Sequence, residues 1–307
     1  MVNQLTKPVY LSSMSIVKHT ERNLMKSILD RLSNIGIVPV VKINHEDESL
    51  PVAKALLDGG IDTMEITFRS EHTIHAIKAI SKAYPEILMG AGTVGSIQQA
   101  KDAVEAGAIF IVTPGFNHEV VKWCIENNVL VIPGIGTPTE IETALSYGIT
   151  SMKLFPAATM GGDKFIKDIS GPYANVRIMP TGGINMVNMH DYLKLSNVIA
   201  IGGSYMLPND LIANKDWDAL TELSRQSVKS MLQLKIERIE SNLIDVPSFS
   251  LMDSTQFSSE GEVIELSTPY LERAFYHLSK DHAEATLNNN IITLHKNGKT
   301  KLVIKER

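Results

Sequence analysis

The sequence predicts an α/β fold: a (β/α)8 TIM barrel with an N-terminal helix and a small C-terminal βαβββ module. A unit of one short apolar strand and one amphipathic helix repeats between residues 37 and 205, and the repeat supplies eight strands. The strands start 21 to 27 residues apart, which leaves room for the crossover of about a dozen residues that parallel pairing needs. Eight such units fit a compact barrel. An open doubly wound sheet shows the same alternation and remains the alternative.

The predicted strands are short apolar runs that end near Gly, Pro or Thr. In chain order they read IVPVVKI, MEITF, LMGAGT, IFIVTPG, LVIPGI, MKLFP, RIMPTGG and VIAIGGS. The segments between them mostly carry apolar residues at three- and four-residue steps, which is typical of helices with one buried face. Ahead of the first strand, residues 19–35 place Leu24, Ile28 and Leu32 at the same spacing, so an N-terminal helix is predicted as well.

The region after the last strand divides into a helix, a linker and a small module. Residues 216–243 predict one long helix, and the stretch after it is rich in Ser, Asp and Pro, as linkers are. A strand at EVIELS, a helix at PYLERAFYHLSK and three strands around an Asn-rich turn and an NGK turn then follow. The predicted units are a barrel over residues 1–235, a helix end and linker over 236–261, and a module over 262–307.

Composition excludes several classes of function. The net charge is −5, from 29 Lys and Arg against 34 Asp and Glu, so the chain lacks the basic surface that nucleic-acid binding needs. The N-terminus shows no export signal, and no run of 18 apolar residues predicts a membrane span. The single Cys124 has no partner for an intrachain disulfide and lies in a predicted helix rather than a metal knuckle. We therefore expect a soluble, cytoplasmic protein that binds neither nucleic acid nor membrane.

Charged residues stand inside two apolar strands. Glu65, Thr67 and Arg69 share one face of MEITFR, and Lys153 lies between apolar neighbours in SMKLFP. Because an unpaired charge inside a dry barrel is costly, Glu65 and Lys153 should either pair or react. A buried ion pair that only fixes packing is the alternative. Lys42, the other strand lysine, ends its strand and can extend to solvent, so Lys153 is preferred.

These residues suit the chemistry of a Schiff-base lysine. A neutral lysine amine attacks a ketone, and the apolar neighbours Leu154 and Phe155 favour the neutral form. Glu65 would then move protons. Arg69, two residues beyond Thr67, would bind a substrate carboxylate with its planar guanidinium, although a simple surface position at the strand end explains it equally well.

Glycine pairs at the ends of the last two strands predict an anion site. They occur in PTGG, residues 180–183, and in IGGS, residues 201–204. Glycine lets backbone N–H groups approach an anion closely, and barrels often bind phosphate after strands seven and eight. Tight turns alone would explain either pair by itself.

Other motifs do not predict nucleotide or metal sites. Residues 90–95 read GAGTVG, but the apolar strand IFIVT stands about 20 residues on, where a dinucleotide site needs an acid. The NGKT at 297–300 has Thr293 in place of the upstream Gly of a phosphate-binding loop. Nor do the histidines form a metal-binding motif, and His72 and His75 fall on a predicted surface helix.

The chain resembles the 2-keto-3-deoxy-6-phosphogluconate aldolases, which also act on 4-hydroxy-2-oxoglutarate. GIVPVVK, MEITFR, GAGTV, VTPG, IPGI, MKLFPA, PTGG and IGGS occur in that family's order and spacing, over residues 22–232. The resemblance implies an aldehyde-lyase of carbohydrate metabolism that needs no metal, with Lys153 forming the imine and Glu65 acting as acid and base. It also implies a trimeric core.

The resemblance further assigns the substrate contacts. It places Arg69 and Thr93 at the pyruvyl carboxylate, Pro114 and Phe155 on the pocket wall, and a third group at the hydroxyl and phosphate end. That third group is Thr181, Gly182, Gly183, Gly203 and Ser204. A related branch that cleaves the galactonate epimer typically has Asn in place of Arg69 and Val-Gly-Gly in place of residues 181–183, so the gluconate epimer is favoured. A sugar-phosphate isomerase or epimerase, and a non-catalytic sugar-phosphate sensor, are the competing hypotheses.

The last 46 residues resemble half of a glyoxalase-type (vicinal oxygen chelate) domain. Pro269, Leu271, Arg273 and Ala274 match that family's opening strand and helix, and Val263 replaces its usual metal-binding His, so we expect no metal there. Such a half exposes an apolar sheet face that needs a partner. Pairing between trimers, which would give a hexamer, is favoured over docking of each module onto a barrel.

Overall fold

The computed structural model describes residues 23–240, 263–296 and 299–307. The predicted linker, the start of the N-terminal helix and the NGK turn lie wholly or partly outside these described residues. No helix within them is both long and apolar enough to cross a membrane.

A curled parallel sheet forms the centre of a TIM-like α/β fold. Its strands are β1 (Ile37–Val41), β2 (Thr63–Thr67), β3 (Leu88–Gly92), β4 (Phe110–Val112), β5 (Leu130–Ile132), β6 (Gly134–Ile135), β7 (Ser151–Leu154), β8 (Arg177–Pro180) and β9 (Ile201–Gly203). They pair in the orders β5-β4-β3-β2-β1-β9 and β6-β7-β8. Pro133 alone separates β5 from β6, so these two form the single strand that the sequence predicts there. Two parallel bridges, Ile178–Val198 and Thr181–Gly202, connect the β8 and β9 segments.

Helices follow the strands as the sequence predicts. They are α1 (23–35), and α2 (Ser49–Asp58), α3 (Thr73–Ala83), α4 (Ile97–Ala106), α5 (His118–Glu126), α6 (Pro138–Ser146), α7 (Gly162–Ser170), α8 (Met189–Leu193), α9 (Asn209–Ala213) and α10 (Trp217–Leu232). Several begin at a side chain that accepts hydrogen bonds from first-turn N–H groups. These caps are Ser96 for α4, Asn117 for α5, Thr137 for α6 and Asp216 for α10.

Apolar side chains fill the amino-terminal half of the sheet's interior. Val38, Phe110, Ile132 and Met179 lie in one buried cluster, together with Ile28 and Leu32 of α1. The predicted N-terminal helix therefore closes this end of the interior.

The prediction for the end of the last barrel helix is wrong. α10 ends at Leu232, and Gln233 takes a left-handed conformation with φ 46°. Residues 235–240 then form β10 (Lys235–Glu240), which pairs antiparallel with the first strand of the C-terminal module. The segment KIERIE has its apolar residues three apart, which suits a helix. Pairing with a neighbouring strand overrides that local preference.

The C-terminal module has the predicted β-α-β-β-β order, and β10 adds a fifth strand. Its elements are β11 (Val263–Thr268), α11 (Leu271–Asp281), β12 (Thr286–Asn288), β13 (Ile291–Lys296) and β14 (Lys299–Glu306). The sheet order is β10-β11-β14-β13-β12, and β11 and β14 are parallel. Leu266, Leu302 and Ile304 of the sheet, with Ala274 and Leu278 of α11, are buried in the same hydrophobic core as the barrel helices.

The module docks onto the amino-terminal end of its own barrel. Asp62, which precedes β2, is 6% exposed. Its carboxylate accepts hydrogen bonds from Arg31 of α1 at 2.7 Å and from Tyr276 and Lys280 of α11 at 2.5 Å each. The module therefore contacts the barrel of its own chain, which is one of the two arrangements expected; pairing between trimers stays a prediction.

Two further side chains of α11 bind backbone carbonyls of the barrel. Arg273 donates from Nε to the carbonyl of Ser33 at 3.0 Å and from Nη2 to that of Ile199 at 3.3 Å. His277 Nε2 lies 3.1 Å from the carbonyl of Ile35, so this nitrogen carries the ring proton. Burial lowers the pKa of Arg273 to about 10 and that of His277 to about 4. For Asp62, burial alone would raise the pKa, but Lys280, Tyr276 and Arg31 together lower it.

The buried neutral His277 predicts an acid-sensitive fold. Its pKa falls from 6.5 to about 4 on folding, so the unfolded chain binds an extra proton between these pH values and stability rises with pH there. We expect the free energy of unfolding to fall by about 3 kcal/mol from pH 6.5 to pH 4 through this residue. Urea denaturation followed by circular dichroism at a series of pH values measures it.

The matched variants isolate His277 from other titrating groups. His277→Gln, whose amide also donates to the Ile35 carbonyl, should flatten the profile between pH 4 and 6.5. His75→Gln, at a 55% exposed side chain on α3, should leave it unchanged. Equal profiles for wild type and His277→Gln would contradict the prediction. Asp62 affects stability at lower pH than His277 does. Because folding lowers its pKa, its contribution to the free energy of unfolding is lost only as the pH falls below the ordinary value of 3.8.

Candidate active site

The structure brings Lys153 and Glu65 together inside the sheet. Lys153 Nζ lies 3.0 Å from Glu65 Oε1 and 3.4 Å from Oε2. The residues stand on β7 and β2, 88 positions apart in sequence. Glu65 is 0% and Lys153 4% exposed, so the two polar strand residues form one buried pair. A proton moved along the hydrogen bond converts ammonium and carboxylate into neutral amine and carboxylic acid, and the amine is the nucleophilic form.

Glycines make room for this pair. A Cβ atom on Gly92 would lie 2.0 Å from Glu65 Oε1, and one on Gly90 would lie 2.2 Å from the Phe110 ring. These two glycines belong to the GAGTVG motif, which begins within β3 and ends before α4. Their absent side chains leave space for the Glu65 carboxylate and for the Phe110 ring of the core, which accounts for the motif without a nucleotide.

Arg69 lies just beyond the carboxyl end of β2. Its side chain is exposed, and its Nε donates to Thr67 Oγ1 at 3.0 Å. Thr93 and Pro114 lie in the loops that follow the next two strands, β3 and β4. Thr93 has a φ of 56°, a left-handed conformation uncommon for a residue other than glycine, and Pro114 is exposed. All three residues thus follow strands at the same end of the sheet.

Phe155 and the PTGG loop lie on the Lys153 side of the site. Phe155 is 41% exposed, and Lys153 Nζ lies 5.3 Å from the centroid of its ring. A Cβ on Gly182 would come within 3.4 Å of that ring, so the loop after β8 packs against Phe155. Both Gly182 and Gly183 have positive φ, 99° and 76°, which a side chain would strain.

The ends of β8 and β9 are directly adjacent. Thr181 pairs with Gly202, and a Cβ on Gly202 would lie 2.2 Å from Thr181 Oγ1. That hydroxyl is buried and has no hydrogen-bond partner among the described residues. Gly203 is buried and Ser204 is exposed, so this edge presents backbone and one hydroxyl group. The two predicted glycine pairs therefore lie side by side.

The remaining candidates lie apart from this pair. Lys42 is exposed just beyond the end of β1, as the sequence predicts. Cys124 is buried in α5, and burial raises its thiol pKa to about 12. His72 and His75 lie at the start of α3 with Glu46 3.8 and 3.9 Å away. Within the described ranges, no three or more His, Cys, Asp or Glu are grouped so as to hold a metal ion.

Comparison with known proteins identifies the family. The model of the KDPG and KHG aldolase family matches residues 28–223. The chain belongs to this aldolase family. The match covers every strand of the barrel and ends before β10.

Individual relatives agree with this assignment. The chain is 42% identical over 205 residues to the 2-dehydro-3-deoxy-phosphogluconate aldolase of Treponema pallidum, covering 67% of this chain and 98% of that protein. It is also 42% identical over 208 residues to the KHG/KDPG aldolase of Escherichia coli K12, covering 68% and 98%. The solved KDPG aldolase of Legionella pneumophila, with pyruvate captured at low pH as a covalent carbinolamine intermediate, has a TM-score of 0.63 and 36% identity, covering 65% and 97%. This chain is accordingly an aldolase, and the isomerase and sensor hypotheses are set aside.

Sequence reasoning missed two residues that shape the site. For Gly92 the sequence indicates no role beyond membership of the GAGTVG motif, whereas the structure places it against Glu65. For Thr67 the sequence indicates only the strand face that it shares with Arg69, whereas the structure shows a hydrogen bond between the two side chains. The strand register connects the two residues, since Thr67 on β2 pairs with Gly92 on β3. An alignment of these two strands is the signal that could have found them.

The contact between Gly92 and Glu65 yields a direct test. Gly92→Ala should lower kcat for aldol cleavage by two orders of magnitude or more, since a displacement of about 1 Å at a reacting group costs roughly 100-fold. The added methyl carbon would lie within 2.5 Å of the Oε1, Cγ and Cδ atoms of Glu65, so that side chain must shift. Steady-state kinetics measures the loss.

Gly95→Ala is the matched control in the same motif. Its Cβ would meet only the flexible Gln99 side chain, at 3.6 Å, so its kcat should stay within about twofold of wild type. An active Gly92→Ala enzyme would show that the Glu65 carboxylate need not occupy its present position.

Proposed function

We propose that this aldolase cleaves 2-keto-3-deoxy-6-phosphogluconate to pyruvate and glyceraldehyde 3-phosphate through an imine on Lys153. It would also cleave 4-hydroxy-2-oxoglutarate to pyruvate and glyoxylate. The observation that carries the proposal is the 3.0 Å contact of Lys153 Nζ with Glu65 in a buried site. The names of the relatives and the pyruvate carbinolamine of the Legionella enzyme support the same substrate class.

Lys153 supplies the nucleophile and the electron sink. Its neutral amine attacks the C2 ketone to give a carbinolamine, which loses water to leave a protonated imine. The C3–C4 bond then breaks, and its electron pair moves into the imine to give an enamine. Because the imine accepts this pair, the cleavage needs no metal or organic cofactor.

Glu65 moves the protons. The Lys153 nitrogen loses two protons on the way to the imine, one as the ammonium becomes an amine and one as the amine attacks. Glu65 accepts each in turn and passes it to the C2 oxygen, which leaves as water. The carboxylate next removes the C4 hydroxyl proton, directly or through a water, as the aldehyde departs. After C3 of the enamine is protonated, water hydrolyses the imine and frees pyruvate. Acid–base help of this kind contributes roughly 10²- to 10⁴-fold to the rate.

The two ends of the site would bind the two ends of the substrate. Arg69 and Thr93 would hold the pyruvyl carboxylate, while Pro114 and Phe155 line the pocket between the ends. At the other side, the adjacent loops after β8 and β9 offer glycine N–H groups and the exposed Ser204 hydroxyl to the phosphate. Their five candidate residues are Thr181, Gly182, Gly183, Gly203 and Ser204. Arg69 and Thr181 favour the gluconate over the galactonate epimer.

We also propose a trimeric barrel core and a cytoplasmic location. With α11 against the barrel of its own chain, the modules need not pair between trimers to cover their apolar faces. The resemblance of the module to half of a glyoxalase-type domain, and the absence of a metal there, remain predictions.

Borohydride trapping tests the imine. Pyruvate and borohydride together should label Lys153 irreversibly, because reduction converts an imine into a stable amine. Lys153→Arg should lose both labelling and activity, since arginine keeps the charge but supplies no neutral amine. Peptide mapping by mass spectrometry locates the adduct.

The other strand lysine provides the control. Lys42→Arg should be labelled and active like wild type, because Lys42 lies in solvent at the end of β1. An adduct on Lys42, or none on the wild-type enzyme, would overturn the Schiff-base mechanism at Lys153.

Comparison of two substrates tests the phosphate end. Ser204→Ala should raise KM for the phosphorylated substrate roughly tenfold through loss of a hydrogen bond to a charged group. KM for 4-hydroxy-2-oxoglutarate, which has no phosphate, should stay near the wild-type value. Ser196→Ala, at an exposed serine before β9, is the control. Equal changes for both substrates would place the phosphate elsewhere.

A further inference from the structure

Thr67 contacts Arg69 twice. Its backbone carbonyl accepts from the Arg69 N–H at 2.7 Å, and its Oγ1 accepts from Arg69 Nε at 3.0 Å. Thr67 thus binds both the backbone and the side chain of Arg69, although Arg69 lies in an exposed loop.

Thr67 is itself held in place from two sides. Its hydroxyl donates to the carbonyl of Val41 on β1 at 2.8 Å, and the Thr73 hydroxyl donates to its carbonyl at 2.8 Å. Thr67 is 1% exposed. Since a hydroxyl has one hydrogen, and Val41 receives it, only acceptor lone pairs remain for a third partner. That is the role Arg69 Nε–H requires.

The contact leaves one side of the guanidinium for substrate. Arg69 Nε donates its hydrogen bond to Thr67 Oγ1, and neither Nη atom has a hydrogen-bond partner among the described residues. A free arginine side chain in solvent samples many rotamers, whereas a planar guanidinium fixed at Nε presents its two terminal nitrogens together. This pair of donors matches the two oxygens of a carboxylate.

We propose that Thr67 is a positioning residue that orients Arg69 for the carboxylate of the keto acid. The inference rests on the proposed function, in which Arg69 binds that carboxylate. Thr67 acts through Arg69 and touches neither Lys153 nor the phosphate end. Its loss should therefore weaken binding of any substrate that carries the carboxylate, without slowing the chemical steps at Lys153.

Three variants test the proposal. Thr67→Val keeps the shape and removes both hydroxyl bonds, while Thr67→Ser retains them. Thr63→Val is the control for folding, because Thr63 lies on the same strand, is also 1% exposed and donates to the Leu88 carbonyl at 2.8 Å. All three are assayed as the full chain, by borohydride trapping with pyruvate and with acetone, and by steady-state aldol cleavage.

The expected result separates binding from chemistry. Thr67→Val should raise the half-saturating pyruvate concentration and KM roughly tenfold, with kcat within about twofold of wild type. Trapping of acetone, which forms an imine but has no carboxylate, should not change. Thr67→Ser and Thr63→Val should behave like wild type.

Two results would overturn the inference alone. They are a Thr67→Val enzyme that matches Thr63→Val with pyruvate, and an equal loss of acetone and pyruvate trapping, which would mean general distortion of the site. Failure of pyruvate to label the wild-type enzyme would overturn the proposed function and this inference with it.

Discussion

The buried pair of Lys153 and Glu65 is the constraint around which the barrel is arranged. Removing two charges from water is costly, and the cost is recovered only when the charges lie close together and are well surrounded. The pair therefore needs two strands on opposite parts of the sheet to face each other at one height. It also needs space in an interior packed as densely as a crystal. Gly90 and Gly92 leave that space, and the apolar layer of Val38, Phe110 and Met179 excludes water beneath it.

The proposed active site and the docking surface of the module lie at opposite ends of the barrel. The residues proposed to bind substrate follow the carboxyl ends of the strands, where loops vary without disturbing the sheet. At the amino-terminal ends, α1 closes the interior and α11 covers the outside through Asp62. Because the two regions share no residue, the chain can carry a further module without a change to the loops that surround Lys153.

Local patterns predicted much of this molecule, and long-range pairing accounts for what they missed. The position of Lys153 and Glu65 inside apolar strands predicts that they pair or react, and the structure shows the pair. Periodicity predicts that α10 continues past Leu232, because the apolar residues of KIERIE have helical spacing. The strand that pairs with this segment cannot be recognised from local spacing. Docking through Asp62 and the support of Arg69 by Thr67 depend on residues that are distant in sequence or on hydrogen-bond directions. No pattern of periodicity contains that information.

The chemistry of the barrel's amino-terminal end explains why α11 docks there. Helices of this fold run opposite to the strands, so their carboxyl ends, with unsatisfied carbonyl groups and partial negative charge, gather at that end. Ser33 and Ile35 belong to the last turn of α1, and Gly60 follows α2. Their carbonyls accept hydrogen bonds from Arg273, His277 and Lys280 of α11. A helix that carries donors and positive charge on one face and apolar residues on the other satisfies these carbonyls while it covers its own sheet. The apolar face of the module's sheet is thus buried by the same helix that binds the barrel.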